Sequence, residues 1–164
     1  FVFGCSSETK KDETAAVEDH SATTSKDTGV QAHGTGENAQ GGRSALDDPN
    51  GPLATRVIYF EFDSSEVLPQ YRSVVEAHAR YLAGNPNAVV TLEGHADERG
   101  PREYNLALGE RRANAAKEYL VGLGVPGDKI QTVSYGKSRP LCTQHDDACW
   151  DQNRRDEFML QEAK

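Results

Sequence analysis

Aromatic residues are scarce in this chain, 7% of 164 residues, and they are unevenly placed. Residues 6–53 contain no Phe, Tyr, Trp, Ile or Met and are rich in Ser, Thr, Gly, Asp and Glu. Such a stretch cannot bury enough apolar surface to offset the entropy of ordering, so it reads as a disordered tether. Long apolar runs are also missing: none approaches the ~18 residues that a membrane-spanning helix needs. No basic face is visible either. The net charge is −8, and residues 6–53 carry nine acids and four bases, so five of those eight charges belong to the tether. A general nucleic-acid binder is therefore excluded. Cysteine is limited to Cys5, Cys142 and Cys149.

Residues 54–164 are what remains for a core, enough for one modest domain. Arg56 to Phe62 reads as a strand, with Ile58, Phe60 and Phe62 on one face. Asp63-Ser64-Ser65-Glu66 then predicts a helix start, since short polar side chains cap first-turn amides. Tyr71, Val74, Val75, His78 and Leu82 form one apolar helical stripe, ending at Gly84-Asn85-Pro86. Ala88 to His95 is a second strand. A second helix is predicted from near Arg102 to Gly122, with Ala113, Ala116, Leu120 and Leu123 on its buried side. A third strand follows from Lys129 to Gly136, then a short helical turn near Asp151, then a last strand from about Glu157 to Gln161. The order βαβαββ predicts a two-layer α/β sandwich, a mixed sheet of about four strands with helices on one face. No internal repeat is visible.

The cysteines divide into two kinds. Cys142 and Cys149 lie close together in a polar loop, where a disulfide closing about eight residues would contribute roughly 2.5 kcal/mol on the chain-entropy account. That pairing implies an oxidising compartment; two free surface thiols are the alternative. Cys5 ends the run Phe1-Val2-Phe3-Gly4 and precedes the polar tract. An apolar run ending in Gly-Cys resembles the tail of a bacterial lipoprotein signal. On that reading residues 1–5 are the residual signal and its lipid-accepting cysteine, residues 6–53 the linker. The alternative is an incidental cysteine on a soluble chain.

The densest chemistry is Gly94-His95-Ala96-Asp97-Glu98-Arg99-Gly100, followed by Tyr104-Asn105, Leu108-Gly109 and Arg111-Arg112-Ala113. A carboxylate and a guanidinium near one strand end suit a ligand that bears both an ammonium and a carboxylate. Asp97 bracing its own turn and Arg111-Arg112 as a solvated helix face are the plainer readings. His95 and Asp97 suggest a metal pair, but no third or fourth ligand lies nearby in sequence, so neither a metal nor another cofactor is expected. Glu93, Asp97 and Glu98 raise the alternative of a wall hydrolase, which needs two carboxylates across a cleft. No Ser or Cys nucleophile with a base is evident.

Together with Phe60-Glu61-Phe62-Asp63, Val133-Ser134-Tyr135-Gly136 and Asn153-Arg154-Arg155, this series resembles the OmpA-like peptidoglycan-binding domain family, in its peptidoglycan-associated lipoprotein branch. The resemblance covers about residues 56–162. It implies a non-enzymatic domain that binds peptidoglycan through the meso-diaminopimelate of the stem peptide, with Asp97 and Arg112 as ligand residues. It also implies that Phe62, Asp63, Asn105 and Leu108 line or support the groove; Arg99 lies in the same loop, and Arg154 would brace the site. The implied setting is the periplasm of a Gram-negative bacterium, with the domain tethered to the outer membrane through a lipid on Cys5 and with a Tol-type periplasmic propeller protein as partner. A protein-only adaptor is a further alternative. The sequence differs from the family pattern at Asp156, where an apolar strand residue is usual, and in its Cys142/Cys149 loop.

Overall fold

The computed structural model describes residues 45–162. Cys5 and most of the expected tether lie outside these residues. Four strands and three helices alternate: β1 (Val57–Tyr59), α1 (Arg72–Gly84), β2 (Ala88–His95), α2 (Arg102–Gly122), β3 (Ile130–Gly136), α3 (Asp147–Asn153) and β4 (Arg155–Glu162). The sheet order is β1-β4-β2-β3. β4 runs antiparallel to both β1 and β2, whereas β2 and β3 are parallel and joined through α2. The result is the mixed four-stranded sheet with helices on one face that the βαβαββ pattern predicts.

Alternation along β2 decides which face is covered. Ala88, Val90 and Leu92 are fully buried and join Ile58, Phe60 and Phe158 in a core closed by Val75 and Leu82 of α1 and Ala113, Ala116 and Leu120 of α2. Gly94 continues that face. A Cβ placed there would lie 1.9 Å from the Gly109 carbonyl oxygen, and one on Gly109 would lie 2.8 Å from the Gly94 oxygen. Two glycines thus let α2 rest directly on the backbone of β2. This contact brings the first half of α2 over the end of β2, beside the loop that carries Asp97.

Five local expectations need correction. Asp63-Ser64-Ser65-Glu66 does not start a helix. Asp63 turns the chain at φ 53°, and α1 begins only at Arg72, after a 3-10 turn at Pro69–Tyr71. Pro69 is the physical reason, because it drives Leu68 into extended backbone (φ −64°, ψ 146°) and so bars a helix through 68. β1 is short, and Phe62 is 60% exposed instead of sharing the buried face of Ile58 and Phe60. Leu123, past the end of α2, is exposed too. β4 starts at Arg155, two residues earlier than expected, so that Asp156 is paired opposite Gly94 and fully buried. The chain is already organised into turns before residue 54, and Leu53 is buried.

Candidate ligand-binding groove

Arg112 projects from the middle of α2 to the end of β2 and is completely buried. Its guanidinium does not stand as an open fork. Nε donates to the Ser64 carbonyl at 2.8 Å, Nη1 to that of His95 at 2.7 Å and Nη2 to that of Glu61 at 3.1 Å. The turn at Asp63 lets the Glu61 and Ser64 carbonyls converge on it. Among the described residues no carboxylate forms an ion pair with it. Burial and then the nearby Arg154 charge lower its pKa to about 10, so it stays a cation at neutral pH.

Asp97 lies on the loop after β2, and its carboxylate is held from two sides. Oδ1 accepts from the Arg99 amide at 3.0 Å and from Arg99 Nε at 3.3 Å; Oδ2 accepts from Arg99 Nη2 at 2.6 Å and from Arg154 Nη1 at 3.4 Å. Burial raises its pKa, but the hydrogen bonds from Arg99 outweigh that and hold the carboxyl below its ordinary range. Arg154 in turn donates to the Phe60 carbonyl at 3.0 Å and pairs with Asp151.

Asp97 and Arg112 line one cavity of about 320 Å³ together with Phe62, Asp63, Arg99, Gly100, Pro101, Tyr104, Asn105 and Leu108. Seven of the eight residues singled out as ligand or groove residues therefore share this hollow. Arg154 does not line it but reaches Asp97 from behind. Asn105 Nδ2 donates to the Arg99 carbonyl at 2.8 Å and fixes the loop to α2, while Tyr104 hydroxyl bonds Asp63 across the mouth. Arg111, as expected of a solvated face, is exposed.

What stands behind the loop was barely marked in the sequence. The guanidinium of Arg99 is sandwiched, 4.2 Å from the ring centre of Phe62 and 4.1 Å from that of Trp150. Trp150 Nε1 donates to Glu98 at 2.8 Å, and His145 Nδ1 lies 2.7 Å from the same carboxylate. Lys137 Nζ donates to the Glu98 and Gly100 carbonyls at 3.0 and 2.7 Å. Cys142 and Cys149 are joined by a disulfide, and Asp146 caps α3 by accepting from the Cys149 amide. The cystine loop thus presents Trp150 to the binding loop. The one available signal was that the chain's single Trp falls beside Cys149.

The sequence profile of the OmpA family matches residues 59–155. The chain is 51% identical over 98 residues to a peptidoglycan-associated lipoprotein of Rhizobium meliloti, covering 60% of this chain and 56% of that one. It is 48% identical over 125 residues to one of Pseudomonas aeruginosa, covering 76% and 74%. The structure aligns with the crystal structure of the peptidoglycan-associated lipoprotein from Burkholderia pseudomallei at TM-score 0.70 and 46% identity, over 71% of this chain and 99% of that one. The C-terminal domain of Helicobacter pylori MotB shares the fold at TM-score 0.61 and 19% identity. With its glycine-seated helix, its Asp97 loop and its buried Arg112 all inside the matched span, the chain belongs to the OmpA family.

Proposed function

We propose that this domain binds peptidoglycan non-covalently, taking the free zwitterionic end of meso-diaminopimelate into the Asp97–Arg112 groove. One observation carries the reading: a buried guanidinium that pairs with no carboxylate among the described residues lines the same hollow as an ionised carboxylate. Three of the five Arg112 N–H groups bond backbone carbonyls, which leaves two donors and an unneutralised charge for a ligand carboxylate. Two of the four contacts to the Asp97 carboxylate are long, Arg154 Nη1 at 3.4 Å and Arg99 Nε at 3.3 Å, and a ligand ammonium can replace either. Leu108 and the edge of Phe62 suit the aliphatic stem between the two ends. Charge-assisted bonds of ~1.5–3 kcal/mol each give modest affinity per site.

The names of the related lipoproteins and the Phe-Gly-Cys5 run support a further step, an outer-membrane lipid anchor holding the domain in the periplasm. Among the described residues no helix is long and apolar enough to cross a membrane. Many tethered copies beside a polymeric lattice then convert modest affinity into firm attachment. The Asp97-Glu98-Arg99-Gly100 loop is also the surface offered to a Tol-type propeller protein, so wall and partner compete for it. The hydrolase alternative has less support. A glycosidase needs a carboxyl kept protonated beside its partner, whereas the arginines hold Asp97 ionised.

The test is retention on purified sacculi. Wild type stays bound, Asp97→Asn and Arg112→Lys are released, and sacculi carrying lysine in place of diaminopimelate retain little. Wild-type retention of both variants would remove the assignment, and release of soluble wall fragments would favour the hydrolase.

A further inference from the structure

The sheet face turned away from the helices carries a second constellation. Glu93 of β2 and Glu157 of β4 are direct cross-strand partners, so two carboxylates stand opposite each other. Like charges in that arrangement destabilise a ladder unless a cation lies between or beside them. Arg155 serves one of them, with Nε donating to Glu157 Oε1 at 2.6 Å. The third member is His95, two residues along β2 from Glu93. It is 2% exposed, and neither ring nitrogen has a hydrogen-bond partner. Its Nε2 stands 3.8 Å from Glu157 Oε1, while the Tyr135 ring, 5.4 Å away, packs beside it. A buried imidazole with both nitrogens unmet is costly and calls for a partner.

We propose that Glu93, His95 and Glu157 form a zinc site, with His95 Nε2 and one oxygen from each carboxylate as ligands and water completing the shell. One ligand atom from each residue already lies within 4.8 Å of the others. A zinc shell of ~2.0–2.2 Å sets neighbouring ligand atoms roughly 3.4 Å apart, so the group must close by up to about 1.4 Å. The movement falls to Glu93 and Glu157, which are only half-buried, while His95 stays fixed in the sheet. One imidazole with two carboxylates selects zinc over calcium or magnesium, which take all-oxygen shells. The bound ion would satisfy His95 Nε2, relieve the opposed carboxylates and pin β2 to β4. In the linear sequence Glu93 and His95 stand two residues apart; strand pairing adds Glu157 to them.

The experiment uses the full chain, stripped with chelator and titrated with zinc chloride by calorimetry and by thermal melting. One zinc per chain is expected, with a raised melting midpoint at saturation. The Glu93→Gln/Glu157→Gln double variant should bind zinc at least thirtyfold more weakly while keeping wild-type retention on sacculi. Should the double variant fail to fold, Glu93→Gln alone decides, with at least a tenfold loss expected. Absence of binding heat and of any melting shift at millimolar zinc overturns the proposal. So does wild-type zinc affinity in these variants, since the ion then sits elsewhere on the chain.

Discussion

Arg99 Nη2 meets Asp97 Oδ2 at 2.6 Å while its guanidinium plane is stacked between Phe62 and Trp150. The stack fixes the fork, and the fork fixes the carboxylate that the proposed ligand must reach. Lysine cannot reproduce this arrangement, because a point charge on a flexible stem neither stacks nor grips two oxygens. Arg99→Lys and Trp150→Ala should therefore each weaken binding to sacculi about 3- to 30-fold with little change in melting temperature, on the scale of one partly desolvated cation–π contact of ~0.5–2 kcal/mol. Titration of a soluble muropeptide against both variants checks this. Unchanged affinity in both would show that Asp97 needs no such brace.

The disulfide has two separable effects. Its loop is short, so replacing Cys142 and Cys149 by Ser should cost about 2.5 kcal/mol on the chain-entropy account. Chemical denaturation measures that term. The loop also carries Asp146, the cap of α3, and α3 carries Trp150. Loosening it should lower muropeptide affinity by a smaller factor than Trp150→Ala does. Combining Cys142→Ser/Cys149→Ser with Trp150→Ala should then give no further loss of affinity, since both act through one contact.

Sequence pattern reached most of the fold because most of it is local. β2 and α2 begin and end where alternation, helical spacing and the Gly122, Gly124 and Pro126 breaks place them. The departure at residues 63–71 has a local cause: the polar run looks like a cap, but Pro69 sits where the helix would have to pass. The groove was legible as a set of residues, since seven of the eight chosen line it. Its wiring was not. Trp150 meets Glu98 across 52 positions and Arg112 meets Ser64 across 48, and no spacing rule connects such pairs.

Gly94 and Gly109 set the height of α2 above the sheet. Gly94→Ala would place a Cβ 1.9 Å from a backbone oxygen, which no side-chain rotation relieves. Helix and strand must separate, at a cost of at least about 1–3 kcal/mol by analogy with overpacked cores. Because Arg112 rides on that helix and bonds the His95 carbonyl, affinity should fall along with stability. Gly122→Ala is the control: nothing lies within 4 Å of its added methyl, and its retention on sacculi should match wild type.

Asp156 and His78 should tilt the stability–pH curve in opposite directions. Asp156 is fully buried with neither oxygen hydrogen-bonded, and burial, followed by the Glu157 charge, holds its pKa well above the ordinary value. The folded chain thus keeps a proton that the unfolded chain loses near pH 4, and stability falls as pH rises from about 4 toward the raised folded value. His78 is fully buried against Phe158, with ring centres 4.6 Å apart, and burial lowers its pKa despite the Val74 carbonyl 2.8 Å from Nδ1. Here the unfolded chain gains a proton near pH 6.5 that the folded chain refuses, so stability falls as pH drops below about 6.5. Denaturation from pH 4 to 8 in the presence of chelator separates the two. Asp156→Val should raise stability at pH 8 by about 1–4 kcal/mol, as replacing buried charge by apolar groups can, and by less at pH 4. His78→Phe should flatten only the acid side. A gain from Asp156→Val that is equal at both pH values would mean that the carboxyl titrates normally and that its neighbours already satisfy it.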